Sequence, residues 1–167
     1  LHDGTHTLYV QERDDTGNWS ASGLATVVVD TLAPSMTSIN LASGNASPAW
    51  AKVGDTVTLA FTVNEPVQAP TVTLAGHAVT AAQSRADRDW TASYTLVGTD
   101  TEGPVAFRIE FTDLAGNPGT PATQTTDGSG VTFDRTAPTV TGLANDDMPK
   151  KSKTWTWSSA REIVTFR

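Results

Sequence analysis

The sequence predicts an all-β fold built as an antiparallel β-sandwich. No window of useful length shows the 3.6-residue period of a helix, whereas alternation with a period of two recurs along the chain. Thr supplies 28 of the 167 residues, and a β-branched polar side chain suits the wet face of a sheet. Gly and Pro add 13 and 9 residues, which fits short strands joined by tight turns.

Each element follows from its own pattern. "HTLYVQERD" (6–14) and "LATVVVD" (24–30) read as strands flanking the turn "DDTGN" (14–18). "SMTSINL" (35–41) is a strand and "SGNASPAW" (43–50) a loop. In "KVGDTVTLAFTVNEPV" (52–67), Val57, Leu59, Phe61 and Val63 share one face and Thr56, Thr58, Ala60 and Thr62 the other; "NEP" ends the strand. "TVTLAGHAVT" (71–80) is a hairpin about Ala75-Gly76. "DWTASYTLV" (89–97) aligns Trp90, Ala92, Tyr94 and Leu96, and "PVAFRIEFTD" (104–113) aligns Val105, Phe107, Ile109 and Phe111. "DLAGN" (113–117) is a turn and "GVTFD" (130–134) a last strand. About seven strands in some 100 residues is sandwich spacing.

Composition removes several classes of function. There is no Cys, which excludes a disulfide scaffold, a thiolate metal site and a thiol nucleophile. Net charge is −7: residues 1–138 carry 6 basic and 15 acidic side chains, and residues 139–167 carry 5 and 3. An acidic surface argues against nucleic-acid binding, and no apolar run is long enough for membrane insertion. No signal peptide heads the sequence. The chain opens in mid-pattern, so a start upstream of Leu1 is expected. His2, His6 and His77 are scattered and are read as solvated. No G-x-S-x-G, H-E-x-x-H or P-loop occurs, and Asp87 and Asp89 beside Arg85 and Arg88 read as a solvent-exposed loop or strand edge, so no enzyme is expected.

The chain repeats itself. "VVVDTLAPS" (27–35) aligns with "VTFDRTAPT" (131–139), Asp30 over Asp134 and Pro34 over Pro138. "RDDTGN" (13–18) matches the end of "FTDLAGN" (111–117), with Asp14 over Asp113, Gly17 over Gly116 and Asn18 over Asn117. The expected organisation is one complete domain at 34–138. Residues 1–33 are the C-terminal strands of a preceding domain and 139–167 the N-terminal strands of a following one.

D-x-A-G-N followed by a strand ending V-D-T-x-A-P resembles the bacterial Ig-like domain repeats of large surface proteins and tandem-repeat adhesins. The resemblance covers nearly the whole chain. It implies an Ig-like sandwich, an extracellular or cell-surface location on a bacterium, and the role of a structural extender that holds a binding tip away from the cell. The neighbouring Ig-like domains of the same chain are the implied partners. The sequence departs from the pattern at Arg135, where Thr is common, and around Asp127-Gly128, where the last connection lengthens: Asp113 to Asp134 spans 21 residues against 16 from Asp14 to Asp30.

Ig-like topology would bring Asp30, at the end of the first partial domain, to the pole where the "NEP" loop (Asn64, Glu65) and the "DLAGN" turn (Asp113, Asn117) lie. Asp30, Glu65, Asp113 and Asn117 are thus the candidate metal residues and Ca²⁺ the candidate cofactor, since Ca²⁺ takes about six to eight oxygen ligands. The plainer reading is that each Asp hydrogen-bonds its own turn. At the second junction Asp134 has Asp146 and Asp147 as local candidates, with an ordinary loop as the plainer reading.

Two further expectations follow. Trp19, Trp50, Trp90, Trp155 and Trp157 offer indole faces that stack on sugars, so the alternative function is a carbohydrate-binding accessory module of a secreted polysaccharide-degrading enzyme; core packing explains Trp90, and one of Trp155 and Trp157, more simply. The two partial domains leave open strand edges, which raises head-to-tail self-association between chains, with terminal disorder as the other outcome.

Overall fold

The computed structural model describes residues 1–84, 87–141 and 158–159. The chain divides into two compact units, Leu1–Asp134 and Arg135–Arg167. The boundary expected at residues 33/34 falls inside the first unit.

The first unit is all-β. It opens with a hairpin of β1 (Gly4–Val10) and β2 (Gly23–Val29), paired antiparallel from Gly4↔Val29 to Val10↔Gly23. Pairing stops there, so the turn at 14–18 lies within a longer connection stapled by an isolated bridge between Arg13 and Trp19. Leu8, Tyr9, Val10, Leu24 and Val28 are exposed on the ribbon.

The sandwich follows. One sheet has the order β3 (Met36–Ser43), β5 (Thr56–Val63), β9 (Asp89–Thr95), β8 (Ala82–Gln83), with every neighbour antiparallel. The second has the order β11 (Phe107–Glu110), β6 (Thr71–Leu74), β7 (His77–Thr80). A short third sheet places β12 (Thr132–Phe133) between β10 (Gly103–Pro104) and β4 (Trp50–Ala51); its β12–β4 pair is parallel. The loop expected over 43–50 therefore ends in a strand. The hairpin at Ala75-Gly76 takes the left-handed backbone at both positions, φ 53° and 83°, as a tight two-residue turn requires.

Alternation builds the core as the sequence implies. Val57, Leu59, Phe61 and Val63 are buried, as are Trp90, Ala92 and Leu96 opposite and Phe107, Ile109 and Phe111 from the facing sheet. Thr56 and Thr58 turn outward and pair across the sheet with Thr95 (2.9 Å) and Ser93 (3.2 Å). At about 25 cal/mol per Å² of apolar surface, this two-layer core is the main stabilising term.

In the second unit β13 (Val140–Thr141) pairs antiparallel with β14 (Ser158–Ser159). Asp146, Asp147, Trp155 and Trp157 lie outside the described residues, and so does most of the segment invoked for head-to-tail pairing.

Candidate metal centre at the hairpin–sandwich seam

Three segments meet at one pole of the first unit. Asp30 follows directly on β2. Glu65 sits in the loop after β5. Asp113 opens the turn after β11. One carboxylate oxygen from each lies within 4.8 Å of the other two, with Asp30 and Glu65 half-buried and Asp113 buried.

The turn at 113–117 is held by its own Asp. Asp113 Oδ1 accepts the backbone N–H of Gly116 at 2.6 Å and of Asn117 at 2.8 Å. Its Oδ2 accepts the Asn117 side-chain amide at 2.8 Å. The Asp113 N–H closes the turn on the Asn117 carbonyl at 3.1 Å. Gly116 has φ 104°, a conformation that favours glycine. Burial pushes the Asp113 carboxyl up, but the donors from Asn117, Gly116 and Ala115 outweigh it and hold its pKa below the ordinary value.

Asn117 ties the turn to the hairpin. The same amide nitrogen that donates to Asp113 also donates to the Asp30 backbone carbonyl at 3.1 Å. Two acceptors around that atom fix it as the nitrogen. Asn117 therefore enters the cluster as a brace whose N–H groups face the acidic oxygens.

Other bonds lock the remaining segments. Gln68 donates to the Asp113 carbonyl at 3.0 Å, and its N–H donates to Thr112 O at 2.9 Å. Asn64 accepts the Ser35 N–H at 2.7 Å and donates its own N–H to Ser35 O at 3.0 Å. Asp30 Oδ1 accepts the Leu32 N–H at 3.1 Å. Upstream, Asp3 accepts the Thr31 N–H and hydroxyl at 3.1 and 2.8 Å.

Among the described residues no Lys, Arg or His forms an ion pair with Asp30, Glu65 or Asp113. The nearby Arg88 guanidinium spends a donor on the Asn64 carbonyl, at 3.0 Å. Three carboxylates this close repel one another, and a shared cation relieves that repulsion. Two oxygens on one Ca²⁺ at about 2.4 Å lie no more than about 4.8 Å apart, so the spacing fits a single ion. An all-oxygen donor set selects a hard cation.

Sequence reasoning placed Asp30, Glu65 and Asp113 together, and the structure brings them together. It named Asn64 only as part of the "NEP" loop and did not find its bonds to Ser35, nor Gln68, because both depend on which loops meet. His77 is exposed, as read, but it is not without contacts: its ring stacks on Tyr94 at 4.5 Å between centroids, and its Nε2 lies 2.9 Å from the buried Asp100 carboxylate. Donation from the Val97 N–H lowers the Asp100 pKa against the upward push of burial, and His77 adds to the lowering. His2 and His6 meet edge-on at 5.0 Å. Trp90 is buried as expected, whereas Trp19 and Trp50 are exposed.

What these features define is an all-β chain with a β-sandwich and an acidic triad, able to hold a metal ion, at the seam with a preceding hairpin. No protein-family model and no curated protein sequence matches the chain.

Proposed function

We propose that this chain is a structural extender segment of a bacterial secreted or cell-surface adhesin, and that Ca²⁺ stiffens its domain junction. The observation that carries the reading is the triad itself: one carboxylate from the hairpin side of the seam and two from the sandwich, with no protein cation among the described residues to neutralise them. The sheet orders β3-β5-β9-β8 and β11-β6-β7 support the Ig-like topology behind that reading, since they follow the A-B-E-D and F-C arrangement of such sandwiches.

The mechanics follow from the connectivity. Asp30 lies on the connection between β2 and β3, so an ion bound to Asp30, Glu65 and Asp113 ties that connection to two loops of the sandwich. Hinge bending at the seam then requires losing at least one charged ligand. The Asn117 bond to the Asp30 carbonyl supplies a weaker tie without the ion. Junction sites of extracellular modules bind Ca²⁺ with Kd of about 10⁻⁴–10⁻³ M, and that range is expected here.

Calorimetry with Ca²⁺, paired with melts in Ca²⁺ and in chelator, tests the site. A binding isotherm and a Tm that falls in chelator support it; the absence of both removes it. Solution scattering on a longer stretch of the tandem chain tests the extender role: an elongated particle that lengthens in Ca²⁺ is expected, and a globular one contradicts it.

A further inference from the structure

The last connection of the sandwich is five residues longer than its counterpart in the first repeat, and the extra length lies against the outer edge of β3. β3 is an eight-residue edge strand. The edges presented by β8 and β7 are shorter, at two and four residues. Ile39 and Leu41 pair with Phe61 and Leu59, yet their outward backbone groups bond to the 125–129 segment. Thr126 Oγ1 accepts the Ile39 N–H at 2.9 Å, and the Thr126 N–H donates to the Ile39 carbonyl at 3.0 Å. Ser129 Oγ accepts the Leu41 N–H at 2.9 Å. Between them the Asn40 amide donates to Asp127 Oδ2 at 2.7 Å.

The segment is itself prefolded. The Thr125 hydroxyl donates to the Ser129 carbonyl at 2.7 Å, and Asp127 Oδ1 accepts the Ser129 N–H at 2.9 Å. Thr126 and Ser129 thus stand in for a neighbouring strand, offering acceptors where one would. A register shift between Met36 and Ser38 spoils the other end of the same edge.

We propose that residues 125–129 form a strap that closes the β3 edge against pairing with a second copy of this chain. An open edge of this length is a template for strand addition. The same edge on two molecules pairs antiparallel about a twofold axis, so the occupant excluded is another β3. The strap and its bonds to β3 share no residue with the acidic triad, and its role invokes no cation.

The test is the triple variant Thr126→Val, Asp127→Ala, Ser129→Ala, compared with the wild-type chain by amide exchange and sedimentation. The variant should exchange the Ile39 and Leu41 amides at least about tenfold faster while the β5 amides hold. It should also associate more strongly with concentration than the wild type. Adding Asn40→Lys, a charge on the edge, should reverse that association. Unchanged exchange at Ile39 and Leu41 overturns the proposal, as does faster exchange without added association, or association that survives Asn40→Lys. If the triple variant fails to fold, Ser129→Ala alone should speed exchange at Leu41 and leave Ile39 slow; an unchanged Leu41 overturns the proposal equally.

Discussion

The turns at 14–18 and 113–117 are the same piece of structure in two settings. In both, an Asp N–H closes on an Asn carbonyl four residues on, at 2.9 and 3.1 Å. In both, one carboxylate oxygen accepts that Asn's N–H at 2.8 Å and the other accepts its side-chain amide, at 3.0 and 2.8 Å. Gly17 and Gly116 take φ 95° and 104°. The next contacts match too: Arg13↔Trp19 corresponds to Thr112↔Pro118, and Ser20 N–H to Glu12 O corresponds to Gly119 N–H to Phe111 O. The surroundings differ. Asp14 is exposed, with its pKa held down to about 2 by the Asn18 side-chain amide first, then the Asn18 N–H and the Thr16 hydroxyl. Asp113 is buried beside Asp30 and Glu65. The motif dictates a turn, and only its neighbours make the turn a candidate site.

The largest contrast should come from deleting the two Asp side chains. Asp113→Ala removes a buried carboxylate that accepts three hydrogen bonds from Gly116 and Asn117, and loosens the turn that ties into the seam, so Tm should fall by on the order of 10 °C. Asp14→Ala leaves water to satisfy the same donors, and a drop of at most a few degrees is expected. Equal drops in thermal melts would mean that burial does not separate the turns.

Exchanging the matched residues after the turn comes next. A Cβ at Gly119 would lie 2.3 Å from the Phe111 ring. Gly119→Ser therefore overpacks the core at a cost of about 1–3 kcal/mol. The reverse change, Ser20→Gly, touches an exposed site and should move a denaturation midpoint far less. A neutral Gly119→Ser would show that the ring shifts freely.

Acid separates the turns through linkage. Asp113 titrates below its ordinary value in the folded chain. Its contribution is thus fully present above the unfolded carboxyl pKa of about 3.9 and is lost as pH falls through the lower folded value. Melts in chelator from roughly pH 6 downward should show a steep loss for the wild type, a flatter one for Asp113→Asn, and little change in slope for Asp14→Asn, where solvent screens the charge. Identical slopes for all three would remove Asp113 from the acid transition.

The smallest effect distinguishes a cation site from a plain turn. Without Ca²⁺, Glu65→Gln relieves repulsion in the triad and should raise Tm by about 1–3 °C. In millimolar Ca²⁺ it should lower Tm relative to the wild type. A shift of one sign in both conditions contradicts a shared ion.

Most of the fold was legible in the residues. Val57, Leu59, Phe61 and Val63 declare a buried face by period two, and Ala75-Gly76 declares its turn. The repeat aligned Asp14 with Asp113, which singled out the second turn. What could not be read were contacts that depend on loop meeting loop. Asn117 was expected as a ligand, but the bonds from its nitrogen depend on where the Asp30 carbonyl falls. His77 carries no local sign of Asp100, 23 residues away. The extra length around Asp127 was visible as a departure, while its bonds to Ile39 and Leu41 were not, because they span 87 and 88 residues.

The most direct test of the seam is a Ca²⁺ titration followed by backbone amide NMR, because one spectrum reports both turns. Shifts should concentrate at residues 30–32, 64–66 and 113–117, saturate together, and leave 14–18 unmoved. Equal shifts at the two turns, or none at either, would contradict a cation site made by the convergence of Asp30, Glu65 and Asp113.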